Sequence, residues 1–250
     1  MGKMALAVAL VGITAFQPAW AGATKSPRKG RIIYTAGTAW KVQETTVMAK
    51  MDMGAGVSAM PLVSRAVMNI SVEKVFTDGS ALVSQTPLSC SKGDTVDTLK
   101  DAPLPGNGKT GYTLRTRDGK VFLVQGKMVF SSPEEEMMMG GAENIDEVAL
   151  LKESKTTAKF LKVMRNKGQL DCYRIPAKAG QVGAKSKMEG YAVVRLKNES
   201  VNGAVCEVYR AALAPMMETC WFDSKAGRVI KRSMTQGNPV QVEITQEVIK

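Results

Sequence analysis

The sequence predicts a mainly β fold, an antiparallel curved sheet or half-barrel with one or two short helices in the middle of the chain. Three observations predict it. Apolar and polar residues alternate with a period of two over much of the chain, turn pairs containing glycine separate these stretches, and helix-start signals occur only within 132–157. Because a long open sheet needs its edges or faces covered, we expect a helix to pack on its concave side.

The N-terminus has the pattern of a cleavable secretory signal peptide. One positive charge in Met1–Lys3 precedes the uncharged, mostly apolar run Met4–Phe16, and small residues occupy the −3 and −1 positions in Ala19-Trp20-Ala21. We therefore predict cleavage between Ala21 and Gly22, with cleavage after Ala23 as the alternative. A membrane anchor is disfavoured, because the apolar run is shorter than the roughly 20 residues that a spanning helix needs. The mature chain is expected to be exported, to a periplasm or to the extracellular space.

The predicted organisation has three parts. Residues 1–21 are the signal peptide, residues 22–37 are a flexible N-terminal segment, and residues 38–250 form a single β-rich domain. The alternative divides that domain into two β-rich halves, 38–130 and 158–250, around a helical insert.

Strands are predicted where the alternation is clear, and hairpins where a glycine-containing turn joins two such strands. Residues 38–53 are predicted as a long strand, residues 90–111 as a loop rich in Asp, Gly, Pro and Lys, and the residues around 240–245 as the last strand. The predicted hairpins are 66–85 around Asp78-Gly79, 113–125 around Asp118-Gly119, and 191–212 around Asn202-Gly203.

Helix-start signals lie in the middle of the chain. Ser132-Pro133-Glu134-Glu135 offers an N-cap, a proline at the first helical position and an early glutamate, and Asn144 with Glu147 repeats that pattern. One or two helices are therefore predicted within 132–157. For residues 158–176 a hairpin and a helix both remain possible.

The charge of the chain is unevenly distributed. Its formal net charge is +11, and residues 151–250 hold 18 basic against 9 acidic residues. A basic half favours encounters with anionic partners such as membrane surfaces or acidic glycans. No nucleic acid is expected, because the basic residues form no run of five or more and the chain has only three Trp.

Residue types also exclude classes of chemistry. The sequence contains no histidine, which excludes Ser-His and Cys-His nucleophile mechanisms. No catalytic motif is present, so we expect no enzyme activity and no cofactor.

The four cysteines of the chain are Cys90, Cys172, Cys206 and Cys220. In an oxidising compartment an even count suggests two disulfides, with three possible pairings. If residues 204–212 and 217–222 form a hairpin that turns at Ala214-Pro215, Cys206 and Cys220 lie opposite each other and could pair. Cys90 would then pair with Cys172 by elimination.

Methionine is abundant, with 16 residues in the chain. Met48, Met51 and Met53 form one cluster and Met137, Met138 and Met139 another. Thioethers are ligands for soft metals such as Cu(I), but the residues of neither cluster point in one direction. A methionine-lined apolar cavity is the favoured interpretation of these side chains.

One stretch of the chain resembles a known group. Residues 201–210 (Val-Asn-Gly-Ala-Val-Cys-Glu-Val-Tyr-Arg) are followed by Glu218-Thr219-Cys220-Trp221-Phe222-Asp223 and by Gly227-Arg228-Val229. This pattern resembles exported bacterial β-sheet proteins of unknown function, which are distantly similar to the periplasmic lipoprotein-carrier (LolA/LolB-like) architecture. The resemblance covers residues 201–234 and implies an open half-barrel with a helical lid over an apolar cavity.

These observations lead to one main expectation about function. The protein is expected to be an exported, non-enzymatic binding protein that holds an apolar or amphipathic, lipid-like ligand in a cavity between sheet and helix. One alternative is an envelope or extracellular interaction module that binds an anionic polymer through its basic C-terminal half. A further alternative is a soft-metal binder that uses Met48, Met51 and Met53. No ligand-contacting residue is identified by the sequence.

Overall fold

A continuous antiparallel sheet organises the chain. The computed structural model describes residues 30–48, 62–124, 128–129, 143–144, 147–156, 171–188, 190–237 and 241–249. Within these ranges the chain forms one α-helix, α1 (Glu147–Glu153), two short 3-10 turns (Val96–Thr98 and Pro105–Gly108) and sixteen strands. The strands are β1 Ala39–Met48, β2 Leu62–Val75, β3 Ala81–Gly93, β4 Lys100–Asp101, β5 Gly111–Arg115, β6 Lys120–Val124, β7 Met128–Val129, β8 Glu143–Asn144, β9 Asp171–Cys172, β10 Lys185–Met188, β11 Tyr191–Arg195, β12 Glu199–Val201, β13 Ala204–Leu213, β14 Met216–Asp223, β15 Arg228–Gln236 and β16 Val242–Ile249.

Fourteen of these strands form the main sheet. Its order is β10-β11-β13-β14-β15-β16-β1-β2-β3-β5-β6-β9, with β12 added beside β13 and β4 beside β3, while β7 and β8 pair separately. Strand β1 pairs with β16, and in this register Lys41 lies opposite Ile249 and Met48 opposite Val242. Strands from both halves of the chain thus share one sheet, and its two end strands, β10 and β9, are not paired with each other. The predicted mainly β, antiparallel and open curved sheet is confirmed.

The glycine-containing turns close the hairpins as predicted. Gly79 and Gly119 have φ values of 79° and 91° between β2 and β3 and between β5 and β6. Asn202 and Gly203, at φ values of 50° and 82°, turn β12 onto β13, and β11 pairs with the far part of β13. The predicted loop 90–111 is partly wrong, because β3 continues to Gly93 and β4 adds a short strand beside it.

Residues 30–38, called the strap here, cross one face of the sheet. Ile32 N donates to the carbonyl oxygen of Arg117 at 3.2 Å, Ile33 N to that of Gly227 at 2.8 Å, and Gly37 N to that of Val72 at 2.9 Å. The strap therefore joins the β5–β6 turn, the β14–β15 turn and β2. These backbone bonds place residues 30–37 against the sheet, and the flexibility of a segment 22–37 stays a prediction.

Helix α1 lies on the other face. Leu151 of α1 packs with Phe76, Leu82, Leu114 and Phe122. Because neighbouring residues of a strand point to opposite faces, Leu82 lies on this helix face, and Val83 lies on the strap face with Tyr34 and Trp40. The C-terminal end of α1 is held there by Thr77, whose hydroxyl donates to the carbonyl oxygen of Lys155 at 3.2 Å. A helix within 132–157 is confirmed, and it packs on the face opposite the strap.

Candidate functional site

A cavity of about 190 Å³ lies between the strap and the sheet. Trp40 and Val42 of β1 and Met68, Ile70 and Val72 of β2 line it. The register brings them together, because Trp40 lies opposite Ile70 and Val42 opposite Met68, and directly opposed residues of an antiparallel pair point to the same face. Their shared wall is apolar. The expected sheet–helix cavity is therefore, in the part of the chain that the structure describes, a cavity between sheet and strap.

The strap approaches the sheet closely at two glycines. A Cβ atom at Gly30 would lie 1.8 Å from the carbonyl oxygen of Arg117, and one at Gly227 would lie 2.6 Å from Cγ1 of Ile33. Gly227 also has a φ of 65°, which favours glycine. These two positions let the strap lie directly on the turns that hold it, and so bring Ile32 and Tyr34 over the cavity.

An ion pair fixes the start of the strap. Arg31 donates from both terminal nitrogens to the carboxylate of Glu207 at 2.7 and 2.8 Å, and to the hydroxyl of Tyr209 at 2.9 Å. Its guanidinium also lies 4.8 Å from the ring centre of Phe222. The bond from Arg31 holds the pKa of Glu207 below its ordinary value, while burial raises the pKa of Tyr209. This contact joins the strap to β13.

Polar groups occupy one end of the cavity wall. Arg115 of β5 is 8% exposed and donates from Nε to the hydroxyl of Thr113 at 3.1 Å. Thr113 in turn donates to the carbonyl oxygen of Val83 at 3.4 Å, and Gln85 Nε2 lies 3.5 Å from the same hydroxyl. Arg115 and Gln85 both line the cavity. Burial also raises the pKa of Tyr34 far above its ordinary value, although the nearby charge of Arg115 opposes this rise.

Arg232 is the second buried arginine of the cavity wall, and it is paired with a carboxylate that it shares with Arg174. Its Nε donates to Oε1 of Glu218 at 2.7 Å, and Arg174 donates to Oε2 of the same carboxylate. Cys220 adds a third bond to Glu218, from Sγ to Oε1 at 3.1 Å. Glu218 is 3% exposed, so this buried carboxylate is satisfied by two guanidinium groups and a thiol.

The predicted cysteine pairs do not fit this arrangement. The hairpin through Ala214-Pro215 forms, but its register sets Tyr209 opposite Cys220, so Cys206, three residues earlier, points to the other face. Cys206 Sγ contacts the carbonyl oxygen of Ala204 at 3.7 Å, and burial raises the pKa of its thiol. Cys90 is a free, buried thiol. The pairing of Cys90 with Cys172 followed only by elimination from the first pair and has no support here, and the side chain of Cys172 lies outside the described residues.

The methionine clusters are only partly visible. Met48 is the last residue of β1, while Met51, Met53 and Met137–Met139 lie outside the described residues. In the described ranges no group of three or more His, Cys, Asp or Glu side chains could hold a metal ion. Met68 is the methionine that lines the cavity, where the rest of the apolar wall is aliphatic and aromatic.

A second, more open cavity adjoins the first. Its volume is about 530 Å³, and it shares Trp40, Arg228, Ile230 and Val248 with the cavity under the strap. Asn202 also lines it and donates from Nδ2 to the carbonyl oxygen of Val248 at 2.7 Å. The shared residues place the two cavities side by side at the strands β1, β15 and β16.

Sequence reasoning missed Arg115, Arg232 and the strap. Alternation sets Arg115 on the face opposite the apolar Leu114, and this was the only part of its placement that the sequence could indicate. Nothing in the local alternation indicates that residues 30–38 cover that face. The predicted cleavage point at Ala21 and Gly22 lies outside the described residues. Among the described helices, none has the length and apolar character to cross a bilayer.

Comparisons with known proteins give little further guidance. No family model and no curated protein matches the chain. One solved structure to which it is similar is provisionally described as an outer membrane lipoprotein-sorting protein domain from Vibrio parahaemolyticus, with 10% identity, a TM-score of 0.23, and coverage of 89% of this chain and 87% of that one. Another is a DUF1329 family protein from Desulfovibrio piger, with 10% identity, a TM-score of 0.15 and 84% of each chain covered. At these TM-scores and identities neither likeness is evidence for a shared fold or function.

Proposed function

We propose that the protein is an exported, non-enzymatic binding protein that holds an apolar or amphipathic, lipid-like ligand between the sheet and the strap. The observation that carries this proposal is the apolar wall of Trp40, Val42, Met68 and Ile70, which is covered by a strap rather than by a packed core. The predicted signal peptide supports export, and the periplasm or the extracellular space is the proposed location.

Burial of apolar surface would provide the affinity. Each Å² of apolar surface removed from water contributes about 25 cal/mol. The cavity of about 190 Å³ is smaller than the roughly 300–1,000 Å³ of pockets for drug-sized ligands. With the strap in place it therefore suits one apolar chain, and the adjoining open cavity of about 530 Å³ could receive the remainder of a larger molecule.

Fluorescence of Trp40 offers a direct test. The predicted mature chain has two tryptophans, Trp40 in the cavity and Trp221, whose Nε1 donates to Glu199 at 2.6 Å. In the Trp221→Phe variant, a fatty acid brominated along its chain should quench the remaining Trp40 emission in a saturable way, because bromine quenches only at close contact. An emission that stays constant over the whole titration would contradict the proposal.

The matched control is the Trp40→Phe variant. Trp221 lies opposite Lys231 and Val208, on the helix face of the sheet, so its emission should not respond to the brominated ligand. Equal quenching of both variants would indicate non-specific adsorption and would contradict a cavity site. If neither variant responds but the protein binds an anionic polymer column in a salt-dependent way, the interaction module becomes the better description.

A further inference from the structure

Among the residues that the structure describes, Arg115 is a buried cation without an anionic partner. It is 8% exposed, and in the described part of the chain its guanidinium forms no ion pair and its terminal nitrogens donate no hydrogen bond. Burying an ionised group without compensation is costly, and buried charges in proteins are normally paired. This side chain is therefore an unusual feature of the cavity wall.

The other buried arginine of that wall, Arg232, shows how a buried guanidinium is compensated in this protein. Arg232 is about as buried as Arg115, at 3% exposed, but it donates to Glu218 at 2.7 Å. Of these two buried guanidinium groups, one is paired with a carboxylate and the other, among the described residues, is not.

The geometry also orients Arg115 for a ligand. Its Nε is bonded to Thr113, and the Thr113 hydroxyl is itself fixed by its bond to the carbonyl oxygen of Val83. This leaves the two terminal nitrogens, which form the fork that binds two oxygens of one carboxylate or phosphate. Arg115 lines the same cavity as the apolar wall of Trp40, Met68 and Ile70.

We propose that Arg115 binds the oxyanion head group, carboxylate or phosphate, of an amphipathic ligand whose apolar chain lies along the wall of Trp40, Met68 and Ile70. This inference rests on the proposed function and narrows its ligand class from lipid-like molecules in general to acidic amphiphiles. A neutral ligand would fill the cavity and leave the buried cation unpaired, which is the source of the selectivity.

Isothermal titration calorimetry of the purified, delipidated protein with decanoate, decyl phosphate and decanol tests the inference. The three ligands share one chain length and differ in the head group. For wild-type protein, the Kd of at least one of the two anions should be lower than that of the alcohol by a factor of about ten or more. Hydrogen bonds to a charged group change binding affinity by about this factor. The tighter anion identifies the head group, and competition by inorganic phosphate alone would show that the oxyanion subsite works without a chain.

Three variants complete the design. Arg115→Gln should weaken anion binding about tenfold or more and leave decanol binding unchanged. The anion affinity of Arg115→Lys should lie between those of wild type and Arg115→Gln, because lysine keeps the charge but lacks the two-pronged guanidinium. Arg210→Gln removes a charge from an exposed residue on the other face of the sheet and should change neither. Thermal unfolding of each variant shows that it is folded, and Arg115→Gln should be no less stable, since it removes a buried unpaired charge.

The outcomes separate this inference from the proposed function. If decanol and both anions bind equally and Arg115→Gln changes none of them, the inference is overturned and the apolar site remains. If no amphiphile binds at all, the proposed function fails and the inference fails with it. Binding of inorganic phosphate without any binding of the three amphiphiles would overturn both in favour of a simple anion site.

Discussion

Arg31 shows how single residues hold the site together. Its side chain is 17% exposed, and it meets a carboxylate, a phenol and an aromatic ring on two neighbouring strands. A bidentate, partly buried arginine–carboxylate pair is worth more than an ordinary surface ion pair, because its geometry is fixed and water screens it less. The Arg31 side chain thus adds an ion pair to the backbone bonds that hold the start of the strap.

That contact should give the protein a defined acid sensitivity. The pKa of Glu207 is lowered below its ordinary value of 4.5, so the stabilising pair is fully formed above that pH and is lost as the pH falls through the lower, folded-state pKa. The free energies of unfolding of wild-type and Glu207→Gln protein, measured with urea, should differ by a constant amount above about pH 5. Below it the difference should shrink. Two curves that remain parallel down to pH 3 would contradict the role of this pair.

The cysteines show why residue-level prediction failed where strand-level prediction succeeded. The sequence correctly indicated a hairpin through Ala214-Pro215, but a disulfide depends on the register, and a shift of one residue exchanges the faces of every side chain. Tyr209, not Cys206, lies opposite Cys220. No local pattern in either strand encodes that offset, since both faces of β13 carry buried residues such as Val208 and Tyr209.

At the scale of elements, the strap depends on Gly227, which lies in one of the turns that it touches. Gly227 contacts Ile33 so closely that a methyl group would overlap its side chain. Alternation predicted the strands because each has two faces in different surroundings. The strap has no such period, because it is held by backbone hydrogen bonds to two turns and to β2, and for this reason its place in the fold could not be predicted from the sequence.

Gly227→Ala should therefore loosen the strap. The substitution adds a Cβ atom 2.6 Å from Cγ1 of Ile33 and places alanine at a φ of 65°, and we expect a loss of about 1–3 kcal/mol in the free energy of unfolding. Gly183→Ala is the matched control, because its φ of 85° imposes similar backbone strain with nothing within 4 Å.

A double-mutant cycle isolates the contact. Ile33→Ala removes Cγ1 and Cδ1, two of the three Ile33 atoms that the new methyl group would meet, and keeps Cβ at 2.7 Å. It should therefore recover part of the loss caused by Gly227→Ala and none of the loss caused by Gly183→Ala. Strictly additive effects for Gly227 and Ile33 would mean that the strap does not rest on this turn.

At the scale of the whole molecule, the two faces of the sheet are covered by different elements. The strap face carries the cavity and the buried arginines, and the helix face carries α1 packed on β3, β5 and β6. The pairing of β1 with β16 makes both halves of the chain part of one sheet, and this long-range pairing was not evident from local patterns. The resemblance to lipoprotein carriers implied a helical lid over the cavity, whereas α1 lies on the opposite face.

This division predicts that α1 supports stability and does not contact the ligand. Leu151 is 1% exposed in the cluster with Leu82, Leu114 and Phe122, so Leu151→Ala should lower the free energy of unfolding by about 2–5 kcal/mol. Leu150→Ala, on the same helix but 38% exposed, should have a much smaller effect. Under conditions where both variants are fully folded, the Kd for decanoate should equal that of wild type. A Kd that rises severalfold in folded Leu151→Ala protein, with Leu150→Ala unaffected, would show that the helix face is coupled to the cavity and that the two faces do not act independently.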